Sequence, residues 1–185
     1  GIPRPDIHLY YHGSMNEPAG WDLREVVRSH RVESNLHFSN RLRSTVGVPD
    51  QELCQIYNCF DAFILPTAAE GFGLPILEAM SCGRPVIVTG YSAHMEWTQG
   101  CGTYLEYEPY VEMNLNCTRA LPRMEGMIRA CLAYADNPGR RKAEGDAGRR
   151  VALSMNWDRY AKDFENLFDE LVAEPSDKRF KVERV

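Results

Sequence analysis

The chain has 185 residues, 44% of them hydrophobic and 25% charged, with a formal net charge of -5. That composition is enough for one globular domain with its own core and does not fit a disordered chain. The acidic balance argues against a nucleic-acid backbone as partner, which needs a positive footprint, and no apolar run approaches the ~20 residues of a membrane-spanning helix.

In chain order, IHLYY at 7–11 is a short β-prone run, and HGSMNEPAG follows as a loop. WDLREVVRSH places Leu23, Val26, Val27 and His30 at helical spacing. NLHFS at 35–39 reads as a second strand, and RLRSTVGV as a basic loop. Pro49-Asp50 opens a helix with Asp50 as its expected cap, and Leu53, Ile56, Tyr57 and Phe60 then share one face. AFIL at 62–65 is wholly apolar, as suits a parallel strand buried on both faces.

A turn, PTAAEGFG, leads into a helix expected from Leu74 to Cys82. Pro75 suits its first turn and Gly83 the position just past its end. Pro85–Thr89 reads as the next strand. From 90 to 121 only TYLEY reads as a strand, the remainder as irregular surface. Residues 122–136 read as helix, and Gly145 and Gly148 weaken a helical reading of 139–153. In the last helix Trp157, Tyr160, Phe164, Leu167, Phe168 and Leu171 form a stripe expected to pack as core. Alternating strands and helices predict an α/β fold: a Rossmann-like parallel sheet with helices on both faces. The expected layout is one domain over 1–173 and a charged tail over 174–185.

Six cysteines include no Cys-x-x-Cys pair, so reduced thiols in a cytoplasmic protein are expected rather than a zinc site. His8, His12, His30 and His37 are scattered without metal-ligand spacing. His94 follows the Pro85–Thr89 strand, at a strand end where ligand contacts occur.

The densest chemistry lies in EGFGLPILEAM, residues 70–80. In open α/β sheets ligands bind beyond the carboxyl ends of the strands, and this turn follows one. Gly71 and Gly73 permit close backbone approach. The N–H groups near Phe72, Gly73 and Leu74 fall at a helix N-terminus, which favours a phosphate. Glu78, about one turn in, can accept hydrogen bonds from a vicinal diol such as a ribose, while Glu70 faces whatever hangs from the phosphates. The bland reading, a structural glycine turn with a glutamate near the helix dipole, is about as well supported by spacing alone.

DAFILPTAAEGFGLPILEAMSCGRPVIVTGYSAHMEW, residues 61–97, resembles the signature region of retaining glycosyltransferases of family 4. The matching pieces are Leu65-Pro66-Thr67, Glu70 to Met80, Cys82 to Ile87, and Glu96. VPDQELCQIYNCFD is similar to the helix before that signature, and NWDRYAKDFENLFDEL to the family's last helix.

The resemblance implies the C-terminal half of a GT-B fold, which binds a nucleoside-diphosphate sugar. An acceptor glycan, lipid or small molecule would be reached through an N-terminal domain missing here. It implies that Glu70 contacts the donor sugar and acts in catalysis, that Glu78 binds the ribose, and that the backbone at Gly71, Phe72, Gly73 and Leu74 approaches sugar and diphosphate. Arg43 and His94 are further candidate donor contacts. The family's Arg and Lys near the diphosphate find no certain match. No cofactor and no metal is expected, in keeping with the absence of Asp-x-Asp. The alternatives are a catalytically inactive nucleotide- or sugar-binding module of the same fold, and a Rossmann-type oxidoreductase, whose G-x-G-x-x-G fingerprint EGFGLP does not match.

Overall fold

The computed structural model describes residues 4–13, 22–39 and 47–173. The chain divides into two compact units, before and after the Cys59–Phe60 junction.

In the first unit, strand β1 (Leu9–Tyr11), helix α1 (Leu23–His30), strand β2 (Leu36–Phe38) and helix α2 (Asp50–Asn58) follow in order. β1 and β2 pair in parallel, Leu9 opposite Leu36 and Tyr11 opposite Phe38. α1 starts where the Asp22 carboxylate accepts the N–H groups of Arg24 and Glu25, satisfying donors that have no partner in the helix. α2 corrects one expectation. Asp50 is its first residue and not its cap; Pro49 holds the cap position without a side-chain bond. Asp50 instead supplies negative charge to the first turn, where the dipole favours it. The strand pairing also brings two of the scattered histidines together, His8 Nδ1 lying 2.9 Å from His37 Nε2.

The second unit carries the larger sheet. Strands β3 (Phe63–Leu65), β4 (Val86–Thr89) and β5 (Gly102–Leu105) run parallel in that order, with helix α3 (Leu74–Ser81) connecting the first two. β4 is the central strand and buried throughout; β3, expected to be covered on both faces, is only half-buried, because it is an outer strand of the three. Side chains alternate along β4. Ile87 packs with Leu105 against Ala130 and Tyr134 of helix α4 (Met124–Asp136). Val86 and Val88 point the other way and are also fully buried, as are Ile76, Ala79 and Met80 of α3. Each of the valine, isoleucine and methionine side chains contributes about 1.5–3 kcal/mol over exposure. The expected sheet with helices on both faces is therefore present.

α3 ends at Ser81 with Cys82 as its C-cap, and Gly83 follows at φ +70, the left-handed turn that glycine adopts freely. Helix α5 (Pro138–Ser154) is continuous through both of its suspect glycines. Gly145 and Gly148 are buried, the first against the Gly83 backbone and the second against Met80, so the lost helix propensity is exchanged for close packing. Arg140 of α5 donates to Glu144 and to Thr103 of β5, 2.7 Å each, and Tyr134 of α4 also donates to Glu144.

Two further expectations fail. Residues 107–122 are not irregular: strands β6 (Tyr107–Glu112) and β7 (Cys117–Pro122) form an antiparallel hairpin. Pro109 opposes Ala120, whose N–H leaves the ribbon for the Ala68 carbonyl at 3.0 Å. This is a pair that exchanges no ladder bonds, so proline's missing N–H costs nothing there. The apolar stripe of helix α6 (Trp157–Ala173) is not core: no residue of α6 is buried, and Trp157 and Phe168 are 84% and 59% exposed. Its periodicity predicts a helix, but the described residues leave that face open. All six cysteines are free thiols. No helix among the described residues is long and apolar enough to cross a membrane.

Candidate functional site

Parallel pairing of β3, β4 and β5 brings the segments after each strand to the same carboxyl end of the sheet. The first is the turn 66–73. Gly73 stands at the N-terminus of α3 with φ +91, a conformation that favours glycine; an added Cβ would also meet Ile76 Cδ1 at 2.9 Å, the movable end of a side chain. The Gly73 carbonyl receives the N–H groups of both Ile76 and Leu77, at 2.9 and 3.3 Å. Pro75 has no N–H to offer, and no side chain caps the helix.

The N–H groups of Gly71, Phe72, Gly73 and Leu74 consequently have no hydrogen-bond acceptor among the described residues. Gly71, Phe72 and Leu74 are exposed, Leu74 at 61%. A row of unpaired donors at the positive end of a helix suits an anion.

The two glutamates flank this row. Glu70 is half-buried, and its carboxylate has no polar partner among the described residues. Its main chain is held instead: its N–H donates to Ser92 Oγ at 2.9 Å, and that hydroxyl donates back to the Glu70 carbonyl at 2.5 Å. Glu78 lies four residues after Leu74, on the same helix face, half-buried and engaged in an interaction of its own.

The segment after β4 packs against this turn. A short 3-10 turn, Ala93–Glu96, carries His94. His94 is wholly buried, and its ring Nε2 lies 2.8 Å from the Thr89 carbonyl. A carbonyl can only accept, so Nε2 carries the proton; Nδ1 is buried without a partner. The ring thus pins the turn to the end of β4 and presents no surface. Trp97 stacks on Phe72, ring centroids 5.2 Å apart, and props the tip of the 70–74 turn. The hairpin is tied to the loops at this end of the sheet, through the Ala120 N–H to the Ala68 carbonyl and through the Tyr91 hydroxyl, which donates to the Thr118 carbonyl at 2.8 Å.

The six site residues taken from the EGFGLPILE stretch therefore lie on one turn and the helix it opens, while Arg43 lies outside the described residues. Ser92, Trp97 and the hairpin escaped the sequence reading. Only the position of Ser92, just after a buried strand, signalled it. Among the described residues no three His, Cys, Asp or Glu side chains gather as metal ligands.

Residues 2–107 match the family model described as glycosyl transferases group 1. D-inositol 3-phosphate glycosyltransferase of Salinispora tropica is 26% identical over 160 residues, 85% of this chain and 30% of that protein. Sucrose-phosphate synthase from Thermosynechococcus elongatus superposes with a TM-score of 0.66 at 21% identity, over 90% of this chain and 39% of that one. The pneumococcal O-GlcNAc transferase GtfA, solved in complex with UDP and GlcNAc, also reaches a TM-score of 0.66, at 19% identity, over 92% of this chain and 30% of that one. At these identities the structural likenesses establish the fold, an α/β architecture of GT-B type. The chain spans less than two fifths of the length of each of these three proteins.

Proposed function

The chain belongs to the glycosyl transferases group 1, and from that premise we propose that it is the donor-binding part of a retaining, metal-independent transferase of the family 4 type. The observation that carries the reading is the row of unpaired N–H groups from Gly71 to Leu74 with a carboxylate on either side. The diphosphate of a nucleotide sugar accepts from that row. Glu78 takes the ribose hydroxyls and Glu70 the hydroxyls of the sugar.

As the glycosidic bond breaks, negative charge grows on the departing diphosphate. Fixed N–H donors and the helix dipole stabilise that charge without reorganising. Glu70 is the residue closest in role to catalysis, because it orients the sugar whose anomeric carbon reacts. Arg43 remains a candidate donor contact. His94, given its burial, serves by holding the turn after β4. The acceptor, a glycan, lipid or small molecule, is brought by a further domain, and the proposed setting is the cytoplasm.

Calorimetric titration of the purified chain with UDP, GDP and ADP, without and then with magnesium, tests this reading. UDP comes first, because a neighbour of the same fold was solved with it. The expected result is binding of one nucleotide with an affinity that magnesium leaves unchanged. Absence of binding to all three at millimolar ligand overturns it.

A further inference from the structure

Ser92 is built in a way its own turn does not need. Its backbone sits at φ 84 and ψ -173. That region is essentially reserved for glycine, because a Cβ there crowds the adjacent peptide groups. Ser92 also occupies the cap position of the Ala93–Glu96 turn, where a serine hydroxyl ordinarily accepts an N–H of the turn it starts. Here it does not cap that turn. The hydroxyl is directed across to Glu70, accepting from its N–H at 2.9 Å and donating to its carbonyl at 2.5 Å. Two local costs, a strained backbone and a forgone cap, serve one residue 22 positions earlier.

The consequence lies in what Glu70 does next. Its peptide groups are fixed on both sides of the Cα, while its carboxylate has no polar partner among the described residues. The next four N–H groups are the unpaired row. Locking the Glu70 main chain therefore aims one free carboxylate relative to that row. Resting on the donor-site reading above, we infer that Ser92 is a positioning residue for the sugar part of the donor. It acts through Glu70, so that discrimination between a nucleotide sugar and the bare nucleotide runs through this hydroxyl.

The test compares two ligands on three proteins: the nucleoside diphosphate that the wild-type chain binds and its matching nucleotide sugar, titrated into wild type, Ser92→Ala and Ser92→Gly. Ser92→Gly adopts φ 84 without strain, so it removes the hydroxyl while keeping the turn foldable. Both variants are expected to lose affinity for the nucleotide sugar by about tenfold relative to the bare nucleotide, the size of a lost hydrogen-bonded contact. Affinity for the nucleoside diphosphate itself stays within about twofold, since the N–H row and Glu78 remain.

An unchanged ratio of the two affinities, or an equal loss for both ligands, overturns the inference and leaves Ser92 a structural clamp. A wild-type chain that binds neither class of ligand overturns the donor-site reading itself, a result distinct from the first.

Discussion

Gly145 of α5 lies so close to Gly83, just past the end of α3, that a Cβ on Gly145 would stand 2.2 Å from the Gly83 carbonyl oxygen. That oxygen is backbone and cannot turn aside. Gly148, one turn later, would place its Cβ 3.1 Å from Met80 Cγ, a flexible side chain. Gly145→Ala is expected to destabilise the chain by about 3 kcal/mol, at the upper end for overpacking. Gly148→Ala should cost under about 1 kcal/mol, since alanine's helix propensity offsets part of the crowding. Urea midpoints of the two variants check the order, and equal values would contradict the close crossing of α3 and α5.

Glu78→Gln tests the ribose side of the site. The amide keeps the shape but replaces one acceptor oxygen with a donor, so one hydrogen bond from a diol is lost. Affinity for the bound nucleoside diphosphate should fall about tenfold, in line with a lost bond to a charged acceptor. Thermal unfolding of the same variant shows whether the fold is intact. An unchanged affinity counts against the pocket.

Trp97, one of three tryptophans, stacks on Phe72 at the tip of the 70–74 turn. An anionic ligand accepting from the Phe72 and Gly73 N–H groups changes the charge and polarity beside that ring pair. Tryptophan emission should therefore change on nucleotide titration in wild type and stay flat in Trp97→Phe. A response that survives the substitution would place the ligand elsewhere.

Alkaline pH should destabilise the second unit. Burial raises the Tyr134 pKa, and its hydrogen bond to Glu144 raises it further. Burial likewise pushes the Cys101 and Cys131 thiols upward from about 9. A raised folded-state pKa means that stability is fully present below the unfolded-state value and is lost as pH rises toward the folded one. For Tyr134 that loss begins near pH 10, the ordinary tyrosine value. Urea midpoints should be flat to about pH 9 and then fall, and Tyr134→Phe should soften the part of the fall above pH 10. A wild-type profile without that fall would refute the burial of these groups.

Much of the secondary structure was legible because it is local. Leu53, Ile56 and Tyr57 announce α2 by their spacing, though the helix stops at Asn58 and the expected fourth member, Phe60, lies past it; Pro75 and Gly83 bracket α3, and the four consecutive apolar residues from Ala62 mark β3. The glutamates and glycines of residues 70–78 were legible for the same reason: one turn and one helix hold them all. The hairpin was hidden, since Pro109 speaks against a strand until its partner Ala120 is known to point its N–H away. The stripe of α6 was misread in the other direction, because periodicity records an amphipathic helix and says nothing of what covers it.

The sequence by itself determined the α/β alternation, the glycine turn with its two carboxylates, and the family to which they point. Only the tertiary structure decided that Ser92 holds Glu70, that Phe72 rests on Trp97, that His94 is sealed beneath the site, and that two apparently helix-weakening glycines are where α5 meets α3. The reason is reach. Helical spacing and turn chemistry are set by neighbours a few residues away, whereas each of these contacts joins segments about 20 or more residues apart or depends on how parallel strands align their ends.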